Sequence, residues 1–182
     1  LVLLAGTGLL ATALALVHAL RAERWSADGF GFAPLTKGVA VYLLLGCAVG
    51  AVFGMCYRVY SDMGALPAEM GRFVFVAASI GAAEEVLFRG YVQGRLQSLS
   101  PIVAVVFAAA AHMIYKLALF ALPPESILIS YKSFAIWTFI GGVVVGSLRE
   151  LSGSVLPPLG GHVLFDVIVY GENISAPWWV WS

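Results

Sequence analysis

Two adjacent carboxylates, Glu84 and Glu85, interrupt the otherwise apolar run Phe73–Tyr91, and Arg89 follows four residues after the second. On a helix Glu85 and Arg89 share a face and can form an ion pair. Glu84 points about 100° away and is expected to lack that local partner, which leaves it as the free carboxylate. Such a group is suited to take a proton from water. Two further apolar runs carry ionisable side chains: His112 in Ile102–Phe120, and His162 with Asp166, four apart, in Val155–Tyr170. A lone buried histidine is more often a packing residue than a catalyst, and a His–Asp pair at this spacing is as often a helix-stabilising contact. Three separate runs with ionisable groups point instead to one cavity shared by Glu84, His112, His162 and Asp166.

The elements that must position these groups are membrane helices. The 182 residues are 61% hydrophobic and 11% charged, less than half the charged share of about a quarter found in soluble domains. Mean hydropathy is +0.95. Ten Lys+Arg balance ten Asp+Glu, which leaves no basic stripe and argues against a nucleic-acid partner. A helix crosses about 30 Å of hydrocarbon with about 20 residues. Runs of this kind are Leu1–Leu20, Gly38–Tyr57, Phe73–Tyr91, Ile102–Phe120, Phe134–Leu148 and Val155–Tyr170, so the expected fold is an all-α, polytopic bundle of about six transmembrane helices. The alternating ten-residue segments of a β-barrel are absent. Leu1–Leu20 lacks the basic flank of a signal peptide and is read as a span, with His18 near the interface. The whole of residues 1–182 is expected to form a single integral membrane domain. An ionised group at mid-bilayer costs about 2.5–3.5 kcal/mol, so Glu84, Glu85 and Arg89 taken singly would cost about 8–10 kcal/mol. A cost of that size calls for compensation or use.

Connections are expected at Arg21–Lys37, Ser61–Pro67, Ser98–Pro101, Leu122–Ser126 and Arg149–Ser154, with Pro67 and Pro101 in first-turn positions. Arg21, Arg24, Lys37, Arg95 and Arg149 on one side face Arg58, Arg72, Lys116 and Lys132 on the other, too even a split to set orientation. Lys116 is expected to snorkel toward the interface, and Tyr91 and Tyr115 to be packing or interfacial residues rather than catalysts. The tail with Trp178, Trp179 and Trp181 reads as an interfacial anchor. Gly46, Gly50 and Gly54, and Gly142 with Gly146, are small residues four apart; packing within one bundle is preferred over a dimer interface. Cys47 and Cys56 are about 13 Å apart on a helix, too far to bridge, and are read as buried thiols.

Glu84-Glu85-Val-Leu-Phe-Arg89 resembles the EExxxR motif of the CPBP family, the CaaX proteases and bacteriocin-processing enzymes, intramembrane endopeptidases that include type II CaaX prenyl endopeptidases. His162-Val-Leu-Phe-Asp166 resembles the family's HxxxN or HxxxD motif, and His112 the histidine of FxxxH. The resemblance covers residues from about 70 to 170. Two positions depart from the pattern. Phe107 stands five before His112, with Ala108 at the fourth position, and Asp166 stands where asparagine is expected.

The resemblance implies hydrolysis of a peptide bond by water that Glu84 activates with His112 assisting, while His162 and Asp166 stabilise the oxyanion and Glu85 and Arg89 shape the site. An ionised aspartate would repel an oxyanion. Asp166 is therefore expected either to be protonated or to orient the His162 ring. No cofactor is expected; the rival is a zinc ion held by Glu84, His112 and His162. The expected partners are membrane lipids and a peptide or protein substrate, prenylated or otherwise membrane-associated, in a prokaryotic cell membrane, with monomer or dimer left open. A non-enzymatic bacteriocin-immunity protein and a proton-coupled transporter using Glu84, His112 and Asp166 are the alternative functions.

Overall fold

A computed structural model describes residues 30–121, 123, 129–174 and 177. The run Leu1–Leu20, His18 and the tail tryptophans lie outside them. Helix α1, Lys37–Tyr60, starts at Thr36, whose side chain accepts from the Val39 N–H at 3.3 Å. Helix α2, Phe73–Glu85, passes into a π-helical segment, Val86–Gln93, and a last turn, Gly94–Leu96. Helix α3, Pro101–Leu119, has its proline in the first turn, where no N–H partner is needed. Helix α4, Tyr131–Ser152, stops at Gly153, which takes the left-handed φ of 66° that a side chain would resist. Helix α5, Leu156–Tyr170, opens on Pro157 and Pro158. Every described helix corresponds to an apolar run of the sequence. Pro67, in contrast, lies in the connection before α2, and α4 extends through Arg149 to Ser152 rather than ending before it.

Three of these helices, α1, α3 and α4, are long and apolar enough to cross a membrane; α5 is apolar but shorter. The outward faces of α1, α2, α3 and α4 carry Leu44, Phe75, Ile102 and Trp137, all strongly exposed, whereas Glu84, Glu85, Arg89, His112 and Asp166 are buried. The polarity of a soluble domain is thus reversed.

Helices α1 and α5 run side by side in the same direction. Gly46, Gly50 and Gly54 form the buried stripe of α1. A Cβ on Gly46 would meet the Pro157 carbonyl, one on Gly50 the Gly161 carbonyl, and one on Gly54 the Ile168 side chain. The small residues therefore serve packing inside the bundle, as expected. Gly142 and Gly146 of α4 do the same against Ala109, Val105 and the side chains of Arg89 and Gln93. At the far end of the pair, the buried Arg58 joins three elements. It donates to the Gly64 carbonyl at 2.6 Å and pairs with Glu172 at 3.0 Å, and Glu172 accepts from the Ala68 N–H at 2.6 Å.

Arg58 and Arg149 are both buried, so neither is a loop charge of the sort the orientation rule counts. Both cysteines are free, but Cys56 is exposed on the outer face and Cys47 half-buried, which corrects the reading of two buried thiols.

Candidate active site

The ionisable groups of α2, α3 and α5 meet in one buried cluster. Glu84 Oε2 lies 3.1 Å from His112 Nε2 and 3.7 Å from His162 Nε2. Glu85 Oε1 lies 2.7 Å from His162 Nδ1 and 3.2 Å from Arg89 Nη1. Arg89 Nη1 in turn lies 2.8 Å from His112 Nδ1. Asp166 Oδ2 is 3.8 Å from His162 Nε2. All six residues singled out from the sequence, Glu84, Glu85, Arg89, His112, His162 and Asp166, are brought together, and the ion pair expected between Glu85 and Arg89 is present.

The hydrogen bonds determine one tautomer. A guanidinium only donates. His112 Nδ1 must therefore accept from Arg89, so the ring proton is on Nε2 and is directed at Glu84 Oε2. In this arrangement His112 is a neutral donor that holds the carboxylate. His162 differs: its Nδ1 faces the Glu85 carboxylate and donates to it. Its Nε2 faces two carboxylate oxygens that are both beyond hydrogen-bond length.

Glu84 is not the partnerless carboxylate that the spacing within α2 suggested. Lys116 Nζ donates to its Oε1 at 2.7 Å, so the lysine turns inward instead of snorkelling to the interface. The reason is helical geometry, since Lys116 is one turn after His112 and projects from the same face of α3. That spacing was a usable signal. The short partner of His162 is likewise Glu85 rather than Asp166.

Packing explains the departure at Phe107. Its side chain is exposed, while Ala108, four before His112, is fully buried. The histidine face of α3 therefore carries the alanine. The ring that covers His112 is Phe88, stacked at 4.7 Å between centroids with 24° between planes. Phe88 lies in the π segment, one before Arg89, and the sequence reading did not identify it. Gly81 was also missed. Any side chain there would collide with Asp166 Oδ2 and, at 2.9 Å, with the His162 ring. Glycine at 81 lets α5 bring both residues against α2. Below the cluster, Gln93 donates to the Gly146 carbonyl at 2.9 Å and to Glu150 at 3.2 Å, tying the π segment to α4.

Two carboxylates on adjacent residues, two imidazoles from other helices and two permanent cations form a site suited to moving a proton and stabilising an anion without a Ser or Cys nucleophile. Residues 66–168, more than half of the chain and the part that holds every one of these groups, match the family described as type II CAAX prenyl endopeptidase Rce1-like. The chain belongs to this family. No curated protein and no solved structure is matched by the chain. Membership of the Rce1-like family, with the apolar helices, makes the chain an integral membrane protein of a protease family.

Proposed function

We propose that the chain is a multi-pass intramembrane endopeptidase in which Glu84 activates the attacking water. The observation that carries this reading is the convergence of His112 Nε2 and His162 Nε2 on one oxygen of Glu84, at 3.1 and 3.7 Å. Lys116 occupies Oε1, so Oε2 is the oxygen left to face a water. Glu84 takes a proton from that water as its oxygen bonds to the scissile carbonyl carbon. His162, protonated on both ring nitrogens, donates from Nδ1 to Glu85 and stabilises the oxyanion with its Nε2–H. The proton then passes from Glu84 to the amine nitrogen as the C–N bond breaks, which gives a carboxylic acid and an amine. Arg89 fixes Glu85 and His112 together. The substrates are membrane-associated peptides, with prenylated CaaX-type peptides favoured by the family.

The reading needs no metal, and the donor set supports this. A zinc ion on His112 Nε2 would displace the proton to Nδ1, where an N–H would oppose the Arg89 N–H groups. Lys116 and Arg89 already supply positive charge to the two glutamates that would otherwise attract the ion.

The test uses the purified chain in lipid with prenylated and plain peptides, read by mass spectrometry. Wild type is expected to cleave and a chelator to leave cleavage intact. Glu84→Gln is expected to lower the rate by about 10²–10⁴-fold, the range for losing a general base. Cleavage that survives Glu84→Gln would overturn the assignment, and loss on chelation would restore the metal.

A further inference from the structure

Three carboxylates, Glu84, Glu85 and Asp166, share one buried space, and burying unpaired charges of one sign is costly. Arg89 answers Glu85 at 3.2 Å. His112 adds no charge, because its Nδ1 accepts from that same guanidinium at 2.8 Å. His162, protonated on both nitrogens beside Glu85 and Asp166, answers a second carboxylate, and the third calls for one more cation. Lys116 is in place to provide it. Its stem is long enough to carry the ammonium out to a membrane surface, yet it points inward and binds Glu84 Oε1 at 2.7 Å, with the side chain mostly buried. The charged and titratable groups that surround Glu84 are His112 and Lys116 from α3, His162 and Asp166 from α5, and Glu85 and Arg89 on its own segment. Tyr115 and Tyr170 lie in the same field.

We infer that Lys116 is a positioning residue of the peptidase site: it pins Glu84 so that Oε2 faces His112 and His162, and it supplies the charge that lets an aspartate stand at 166. The kinetic part of this inference rests on the proposed peptidase reading; the charge part does not. Without Lys116, the cluster holds one negative charge too many and takes up a proton, and Glu84 is the carboxylate that has lost its cation.

The full chain in liposomes tests both parts, with a farnesylated internally quenched peptide for kinetics and infrared difference spectra for protonated carboxyl groups. Lys116→Met is expected to lower kcat by about ten-fold or more with little change in KM, the loss of an opposite charge within hydrogen-bond reach. Lys116→Arg is expected to restore most of it. Asp166→Asn combined with Lys116→Met is expected to be less impaired than Lys116→Met alone, because the excess charge is removed. The infrared spectrum of Lys116→Met is expected to show a protonated carboxyl band at neutral pH that wild type and the Lys116→Met/Glu84→Gln pair both lack. Wild-type kcat in Lys116→Met, beside an inactive Glu84→Gln, would overturn the positioning role and leave the peptidase reading standing. Absence of cleavage by wild type would overturn the peptidase reading, while the infrared comparison would still decide the charge role. Absence of the band in Lys116→Met would overturn that role.

Discussion

Arginine has no lone pair to offer a ring nitrogen, and at Arg89 this determines what two neighbouring side chains can be. Its Nη1 serves Glu85 at 3.2 Å and His112 at 2.8 Å, so one guanidinium both neutralises a buried carboxylate and selects an imidazole tautomer. Arg89→Ala would remove one of the two partners of Glu85 Oε1 and leave the buried carboxylate to His162 alone. Breaking a buried ion pair from one side costs about 3–5 kcal/mol. A lowered thermal midpoint in detergent by at least that equivalent, with activity lost, is expected; Arg89→Lys should recover stability better than activity, because an ammonium does not reproduce the guanidinium's fixed geometry. The Glu85–Arg89 pair was legible in the sequence because both partners sit on one helix at a spacing that geometry fixes. The partners of Glu84 were not, because Lys116 and His112 come from another helix and a lysine stem can turn either way. That Asp166 joins the cluster was legible, but its relation to His162 was not, since the ring turns its short bond toward Glu85 across the helix interface.

Among the elements, the apolar runs of the sequence located every described helix, but not the change of hydrogen-bonding pattern at Val86–Gln93. Nothing in Val-Leu-Phe-Arg-Gly-Tyr-Val-Gln is a helix breaker, and a π turn is a response to neighbours rather than to propensity. Here Phe88 must reach His112, Arg89 must reach both α3 and Glu85, and Gln93 must reach α4. The α1–α5 interface was easier to read, because close backbone approach demands small residues. Gly50→Ala would drive a methyl into the Gly161 carbonyl, whereas the same change at Gly141 meets only Phe53 Cε1 at 3.8 Å. Gly50→Ala is therefore expected to destabilise by about 1–3 kcal/mol or more, and Gly141→Ala to stay within about 0.5 kcal/mol of wild type. Thermal unfolding of the two variants in the same detergent compares them directly.

At the scale of the whole molecule, the ends of α1 and α5 are tied to the connection before α2 by Arg58 and Glu172. Glu172 lies beyond the last turn of α5, and its carboxyl is held below the ordinary value of 4.5 by the Ala68 N–H first and the Arg58 guanidinium second. A group whose folded value is depressed stabilises the fold above its unfolded value and loses that contribution as pH falls through the folded one. Glu172→Gln is accordingly expected to be less stable than wild type at neutral pH, with the gap narrowing as pH falls through and below 4.5; melting curves recorded from pH 7 to 3 give the comparison.

The outward residues Leu44, Phe75, Ile102 and Trp137 set the medium in which any substrate is met. For a peptide that partitions into the bilayer, the quantity that governs encounter is the number of molecules per unit area of lipid, not per litre of buffer. The membrane is then a two-dimensional solvent. Adding empty lipid dilutes the substrate even though its molarity is unchanged, and crowding it into a small area concentrates it. An apparent KM quoted in molar units belongs to one lipid ratio; a mole fraction in the bilayer is the form that carries from one preparation to another.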